Sequence, residues 1–225
     1  MPKLTVVPGA AAILPLLLGV ASAGAQTVPA ATSPATPAVP AIPVRADAPA
    51  AFGTPSLTVA ASVEADFNGD GLTDTAFTLQ GEDARYLVVA LGEGKGLRRV
   101  GLLRLDAYPL GPASLAVTPK GVLTMTDLTG GTSAYQTIYR YRYEAASDRM
   151  RLIGQDVEFY SRTWQHGSTH LSRNYLTGES EKQVGTLSAD HDLRFGKVQR
   201  RQDKPTLLYL EDSPDPARLL GNAPD

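Results

Sequence analysis

The chain of 225 residues contains no cysteine, three histidines and a single tryptophan, and its formal net charge is only −2. The absence of cysteine excludes a disulfide framework, a thiolate nucleophile and a zinc site with cysteine ligands. The near-neutral charge balance gives no overall attraction to nucleic acid or to an anionic membrane surface. We therefore expect no nucleic-acid partner.

The sequence also lacks the usual signatures of an active site. His166 and His170 have the spacing of a zinc pair on a helix, but their segment has strand or loop character, where such residues lie about 13 Å apart. No HExxH glutamate accompanies them, and no G-x-S-x-G elbow is present. Carboxylates are plentiful, yet the sequence singles out no pair as a glycosidase-type acid and nucleophile. We predict that the protein is not an enzyme.

Residues 1–25 have the pattern of a secretory signal peptide. Lys3 is the only charged residue among the first 44, and residues 10–20 form an apolar run. Small residues at positions 21–23 or 23–25 provide a cleavage site. The run is shorter than the about 20 residues that a bilayer requires. We expect an exported protein, periplasmic or secreted, with no stable membrane span after cleavage.

The rest of the chain divides into a linker, a domain and a tail. Residues 26–55 are rich in proline and alanine, which indicates an extended linker. Residues 56–212 show short alternating runs between glycine turns and no helical period, which predicts an all-β domain, an antiparallel sandwich or barrel-like sheet. A hairpin turn is expected at Gly178. Residues 213–225 are expected to form a flexible tail.

The clearest two-residue period lies in residues 135–143, where tyrosines recur at alternate positions. Such a period is typical of a strand with one aromatic face and one hydrated face. The aromatic face is expected to pack on the core. The alternative is an exposed aromatic platform for a sugar or a protein partner, because tyrosine suits both environments.

The most informative stretch is D-F-N-G-D-G-L-T-D at residues 66–74. Oxygen-bearing side chains occupy its first, third, fifth and ninth places and a glycine its sixth, as in a calcium-binding loop. Calcium takes about 6–8 oxygen ligands, and a spacing of two lets alternate side chains face one centre. The predicted Ca²⁺ ligands are the side chains of Asp66, Asn68, Asp70 and Asp74 and the backbone carbonyl of Leu72.

The loop differs from the EF-hand of helix–loop–helix proteins at its twelfth place, where Phe77 stands instead of a bidentate glutamate. An apolar alternation follows, so we predict an EF-hand-like loop that leads into a strand, with a structural role for calcium. Further ligands would be water or a carboxylate such as Glu64, Glu82 or Asp83. The alternative is a turn whose carboxylates only accept hydrogen bonds from backbone amides, since these residue types favour turns for local reasons.

The order of several motifs resembles that of a family of exported bacterial β-domains. After the acidic loop come Y-L-V-V-A-L-G at 86–92, a glycine turn at 130–131 before an aromatic strand, R-L-I-G at 151–154 and N-Y-L-T-G at 174–178. This family contains a periplasmic calcium-binding immunity protein that neutralises a peptidoglycan-cleaving effector of a type IV secretion system and is similar to lysozyme inhibitors. It also contains the carbapenem self-resistance proteins.

The resemblance covers roughly residues 60–185. It implies a β-sandwich-like fold and a binding or inhibitor role against a cell-wall hydrolase or related effector. The alternatives are a carbapenem self-resistance-like role or a structural envelope domain without catalytic activity.

Overall fold

The structure is a computed structural model that describes residues 56–94 and 96–222. The predicted signal peptide at 1–25 and the predicted linker at 26–55 lie outside the described residues. The described strands, in chain order, are β1 (Thr58–Ala65), β2 (Asp74–Gln80), β3 (Arg85–Glu93), β4 (Gly96–Leu105), β5 (Ser114–Val117), β6 (Leu123–Gly130), β7 (Ser133–Glu144), β8 (Arg149–Ser161), β9 (Ser168–Asn174), β10 (Glu179–Leu187), β11 (Leu193–Phe195) and β12 (Gln199–Gln202). A 3-10 turn (Leu210–Asp212) and helix α1 (Pro216–Leu220) follow. No helix in the described ranges is long and apolar enough to cross a membrane.

The first sheet has four antiparallel strands in the order β1-β2-β3-β4. Its central strands are buried on both faces, because Ala76 and Val89 face the larger sheet while Phe77 and Val88 belong to a second apolar cluster. Burial on both faces explains why the sequence of β3 reads as a continuous apolar run instead of an alternation.

The second sheet has eight strands, seven of them in the order β11-β10-β9-β8-β7-β6-β5. The eighth strand, β12, pairs with residues 179–182 of β10, and β11 pairs with residues 185–187 of the same strand. The predicted hairpin at Gly178 is confirmed, since β9 and β10 pair as antiparallel neighbours on either side of it. Gly178 has φ +83°, and a Cβ there would lie 2.2 Å from the carbonyl oxygen of Asp203. Both the backbone conformation and the close approach therefore require glycine at this turn.

The main core lies between the two sheets, and the fold is an all-β sandwich, the first of the two predicted architectures. The tyrosine face of β7 packs into this core, as expected: Tyr139 is 6% exposed and Tyr141 is fully buried. The Tyr141 hydroxyl and the Ser213 hydroxyl hydrogen-bond at 2.9 Å. Burial raises the pKa of both tyrosines, because the phenolate form cannot be solvated there. This face is not an exposed platform.

The segment expected to be a loose tail holds helix α1 instead. The side chain of Asp215 accepts hydrogen bonds from two backbone amides of the first helical turn, at 2.9 and 3.1 Å. Leu220 packs against a cluster that contains Val157 and Leu171. A helix of five residues is too short to show a hydrophobic period, and its stability comes from the cap and this contact.

Candidate functional site

The acidic loop joins β1 to β2, and the pairing of Ala65 with Asp74 brings its two ends together. Gly69 and Gly71 both have φ +81°, and a Cβ at either position would meet no atom within 4 Å. The requirement for glycine is therefore conformational, as expected for the sixth place of the loop. The loop lies at one end of the four-stranded sheet.

The first three predicted side-chain ligands lie in this one turn, and each accepts hydrogen bonds from its backbone. The carboxylate of Asp66 accepts from the amides of Gly69 and Gly71, at 2.7 and 3.0 Å. The side chains of Asn68 and Asp70 each accept from the amide two residues ahead, at 3.0 and 2.7 Å. Asn68 Nδ2 also donates to Asp70 Oδ2 at 2.8 Å. The turn is thus held by the same oxygens that were expected to bind metal.

Asp74 differs from these three side chains, which are exposed or half-buried, because it is fully buried. Its Oδ2 accepts from the amide of Phe67 at 2.7 Å, and its Oδ1 accepts from the amide of Gly92 at 2.9 Å. A Cβ at Gly92 would lie 2.5 Å from the carbonyl oxygen of Thr73, so glycine allows the two backbones to meet. Asp74 therefore anchors the loop to β3, a role that the sequence motif did not indicate.

The donor chemistry of the loop fits calcium, since every predicted ligand is an oxygen. A carboxylate oxygen carries two lone pairs, so one that accepts an amide hydrogen bond can also contact a cation. Within the described ranges, no three or more histidine, aspartate or glutamate side chains are grouped so that they could hold a metal ion. The observed geometry is that of the amide-capped turn, and a bound ion would share these oxygens with the amides.

The additional carboxylates considered as ligands lie at different distances from the loop. Glu64 lines a cleft of about 370 Å³ beside it, together with Leu72 and Thr73. Glu82 and Asp83 lie in the turn between β2 and β3, at the opposite end of β2. The seven residues of β2 separate the two ends by roughly 20 Å, so these two carboxylates are excluded as ligands of the same ion.

A buried ion pair joins the two sheets at a place where the sequence shows no motif. The guanidinium of Arg85 donates to both oxygens of Asp127, at 2.8 and 3.3 Å, and to the carbonyl of Asp106 at 2.8 Å. Arg85 is 2% exposed and Asp127 is 6% exposed. Because 42 residues separate the partners, no local pattern could have indicated the pair.

A small cavity of about 160 Å³ lies beside this ion pair, and its lining includes Asp127, Thr137, Tyr139 and Asp215. Burial raises the pKa of Tyr139, and the nearby carboxylates of Asp127 and Asp215 raise it further by disfavouring the phenolate. The cavity is smaller than the about 300 Å³ at which ligand pockets usually begin. It fits ordered water better than an organic ligand.

The two histidines considered for metal binding lie in different surroundings. His166 Nε2 and the Ser133 hydroxyl are 2.8 Å apart, and His166 Nδ1 and the Gly167 carbonyl are 2.7 Å apart. His170 is exposed on β9. A serine–histidine hydrogen bond of this length occurs in nucleophilic catalysis, where a carboxylate usually orients the ring. Here a backbone carbonyl occupies that position, and the ring is stacked on Phe159 at 4.7 Å between centroids.

No protein-family model, no curated protein and no solved structure matches this chain. In the structure, the motifs that carry the family resemblance are core strands and turns: Y-L-V-V-A-L-G lies in β3, R-L-I-G in β8 and N-Y-L-T-G at the β9–β10 turn. Tyr175 of the last motif is 2% exposed and donates to the side-chain oxygen of Gln155 at 3.0 Å. These motifs therefore form strands and a turn of the sandwich.

Proposed function

We propose that this protein is an exported calcium-binding β-domain that binds and inhibits a protein partner, a peptidoglycan hydrolase or a related effector. The observation that carries the proposal is the oxygen-rich loop at residues 66–74, which is held between two paired strands. The signal-peptide pattern and a motif order that resembles that of exported inhibitors support it from the sequence. In this proposal the protein acts by binding and has no catalytic role.

Calcium would have a structural role in this proposal. The side-chain oxygens of Asp66, Asn68 and Asp70 and the carbonyl of Leu72 would hold the ion while the turn amides keep their hydrogen bonds. Asp74 would join them through a lone pair that its two amide contacts leave free. A site of the extracellular class, with a dissociation constant of about 10⁻⁴–10⁻³ M, would be sufficient outside the cytoplasm.

Calorimetric titration tests the metal. Chelator-treated protein titrated with calcium should show one site, and alanine at both Asp66 and Asp70 should abolish it. Asp83→Ala is the matched control, because this exposed carboxylate lies at the far end of β2. If the wild type releases or takes up no heat on calcium addition, the loop is an amide-capped turn and the metal part of the proposal fails.

An inhibition assay tests the partner separately. The protein should block at least one muralytic enzyme, such as an invertebrate-type lysozyme or a secreted peptidoglycan hydrolase of a competing bacterium, at near-equimolar ratio. If the loop supports the binding surface, the variant with alanine at Asp66 and Asp70 should inhibit more weakly in calcium. Failure against every enzyme tested would remove the inhibitor role and leave calcium binding unaffected. A changed carbapenem susceptibility in a deletion strain would instead favour the self-resistance alternative.

A further inference from the structure

The turn between β8 and β9 presents the only tryptophan of the chain to solvent. Trp164 is 54% exposed, and its backbone has φ +59°. A bulky residue rarely adopts this left-handed conformation, and such strain, of order 1–3 kcal/mol, is concentrated at functional sites. The exposed indole and the left-handed backbone of Trp164 both destabilise the folded state. Neither feature is therefore explained by a contribution to folding.

Side-chain hydrogen bonds hold this turn in one conformation. The Ser161 hydroxyl oxygen accepts from the amides of Thr163 and Gln165, at 3.3 and 2.9 Å. The side chain of Gln165 donates back to the carbonyl of Thr163 at 3.1 Å. These contacts bracket Trp164 on both sides, so the position of its backbone is determined by its neighbours.

Aromatic packing between the turn and the neighbouring strands also stabilises its conformation. His166 has both ring nitrogens engaged, and it stacks on Phe159 at 4.7 Å with an interplanar angle of 11°. Phe159 in turn contacts Tyr135 at 4.8 Å between ring centroids. A Cβ at Gly167 would lie 1.9 Å from the carbonyl oxygen of Gly185, so the turn also rests directly on β10. The site is therefore pre-organised, which lowers the entropic cost of binding.

Trp164 lines a cleft of about 440 Å³, a volume within the range of ligand-binding pockets. Leu187 and Leu193 add apolar surface, and Glu158 and Ser168 add polar groups. Ser168 is 4% exposed, and its hydroxyl has no hydrogen-bond partner in the described part of the chain. A buried hydroxyl without a partner costs about 1–3 kcal/mol, and this cost is concentrated in the wall of the cleft.

We propose that this cleft binds a saccharide, with one pyranose ring stacked on the indole of Trp164. The apolar C–H face of a pyranose suits an exposed indole, as other flat apolar groups do. Sugar hydroxyls both donate and accept, and the cleft offers the acceptor carboxylate of Glu158 and the donor guanidinium of Arg162. Since these opposite charges line the same cleft, neither a purely anionic nor a purely cationic ligand is favoured. The proposal does not rest on calcium binding or on hydrolase inhibition.

Intrinsic fluorescence is a direct test, because the emission of the sole tryptophan reports on this cleft alone. The full chain is titrated with cellotriose, maltotriose and tri-N-acetylchitotriose. At least one of them should change the emission in a saturable way and give a matching dissociation constant by calorimetry. Absence of binding by all three at millimolar concentration overturns the proposal.

Calorimetry of variants locates the binding. Trp164→Ala should weaken the affinity about tenfold or more. Tyr108→Ala is the control, because this side chain is 73% exposed but does not line the cleft. Equal affinity of Trp164→Ala and wild type would place the sugar elsewhere and overturn the proposal. A fluorescence change with a short peptide and with none of the sugars would do the same.

Discussion

Replacing Asp74 tests whether its carboxylate anchors the loop to β3 or binds a metal ion. The buried carboxylate accepts from two amides, one in the loop at Phe67 and one in β3 at Gly92. Asp74→Ala leaves both amides buried without a partner. Each hydrogen bond to a charged group contributes about 1.5–3 kcal/mol, so we expect a loss of about 3–5 kcal/mol in the free energy of unfolding. Asp74→Asn should lose at least half as much, since it keeps one acceptor oxygen but turns its NH2 donor toward the other amide N–H.

The assay is urea denaturation of each variant, in excess calcium and in chelator. A metal that binds only the folded state stabilises it by about 2.7 kcal/mol at a hundredfold excess over its dissociation constant. Because the anchor acts without metal, Asp74→Ala should show its loss in chelator as well. Asp70→Ala lies in the exposed turn, and most of its loss should appear only in calcium.

One result would refute this reasoning about Asp74. If Asp74→Ala in chelator unfolds within about 0.5 kcal/mol of the wild type, the two amide contacts do not stabilise the native state. A loss that appears only in calcium would make Asp74 a metal ligand and not an anchor. Asp83→Ala, an exposed carboxylate at the far end of β2, should match the wild type in both conditions and serves as the control.

Three further predictions concern the rest of the sandwich. Asp127→Ala should lower the free energy of unfolding, measured by urea denaturation, by about 3–5 kcal/mol, because it leaves the buried guanidinium of Arg85 unpaired. Apolar replacement of both partners should recover much of this loss. A small effect of the single change would contradict the prediction. Gly178→Ala should destabilise the protein by at least about 1 kcal/mol more than Gly69→Ala. Both positions have positive φ, but only at Gly178 would a Cβ lie against a backbone carbonyl. Equal decreases in melting temperature for the two variants would count against this prediction. Burial raises the pKa of Tyr175 to about 12, above its unfolded value of about 10, so stability should be complete below pH about 10 and fall toward pH 12. Denaturation measured across this range should show a smaller decline for Tyr175→Phe, and an identical decline would contradict the assignment.

The sequence by itself determined the features that depend on neighbouring residues. Strand alternation in residues 135–143 predicted a buried aromatic face, and the structure has it because side chains alternate across a sheet whatever the partner strands are. Turns at Gly178 and at residues 66–74 could also be predicted from the sequence, since turn conformations are determined within a few residues. The all-β class follows from the same local signals.

Only the tertiary structure determined which residues of different elements contact one another. Asp74 became an anchor because Gly92, 18 residues away, presents an amide to it. The ion pair of Arg85 with Asp127 depends on a contact across 42 residues, and it arises from the stacking of two sheets. The five-residue helix α1 is stabilised by a cap and by packing on β8 and β9, which no period in so short a segment can indicate. Burial and long-range pairing are properties of the assembled fold, and they give the same residue types different roles.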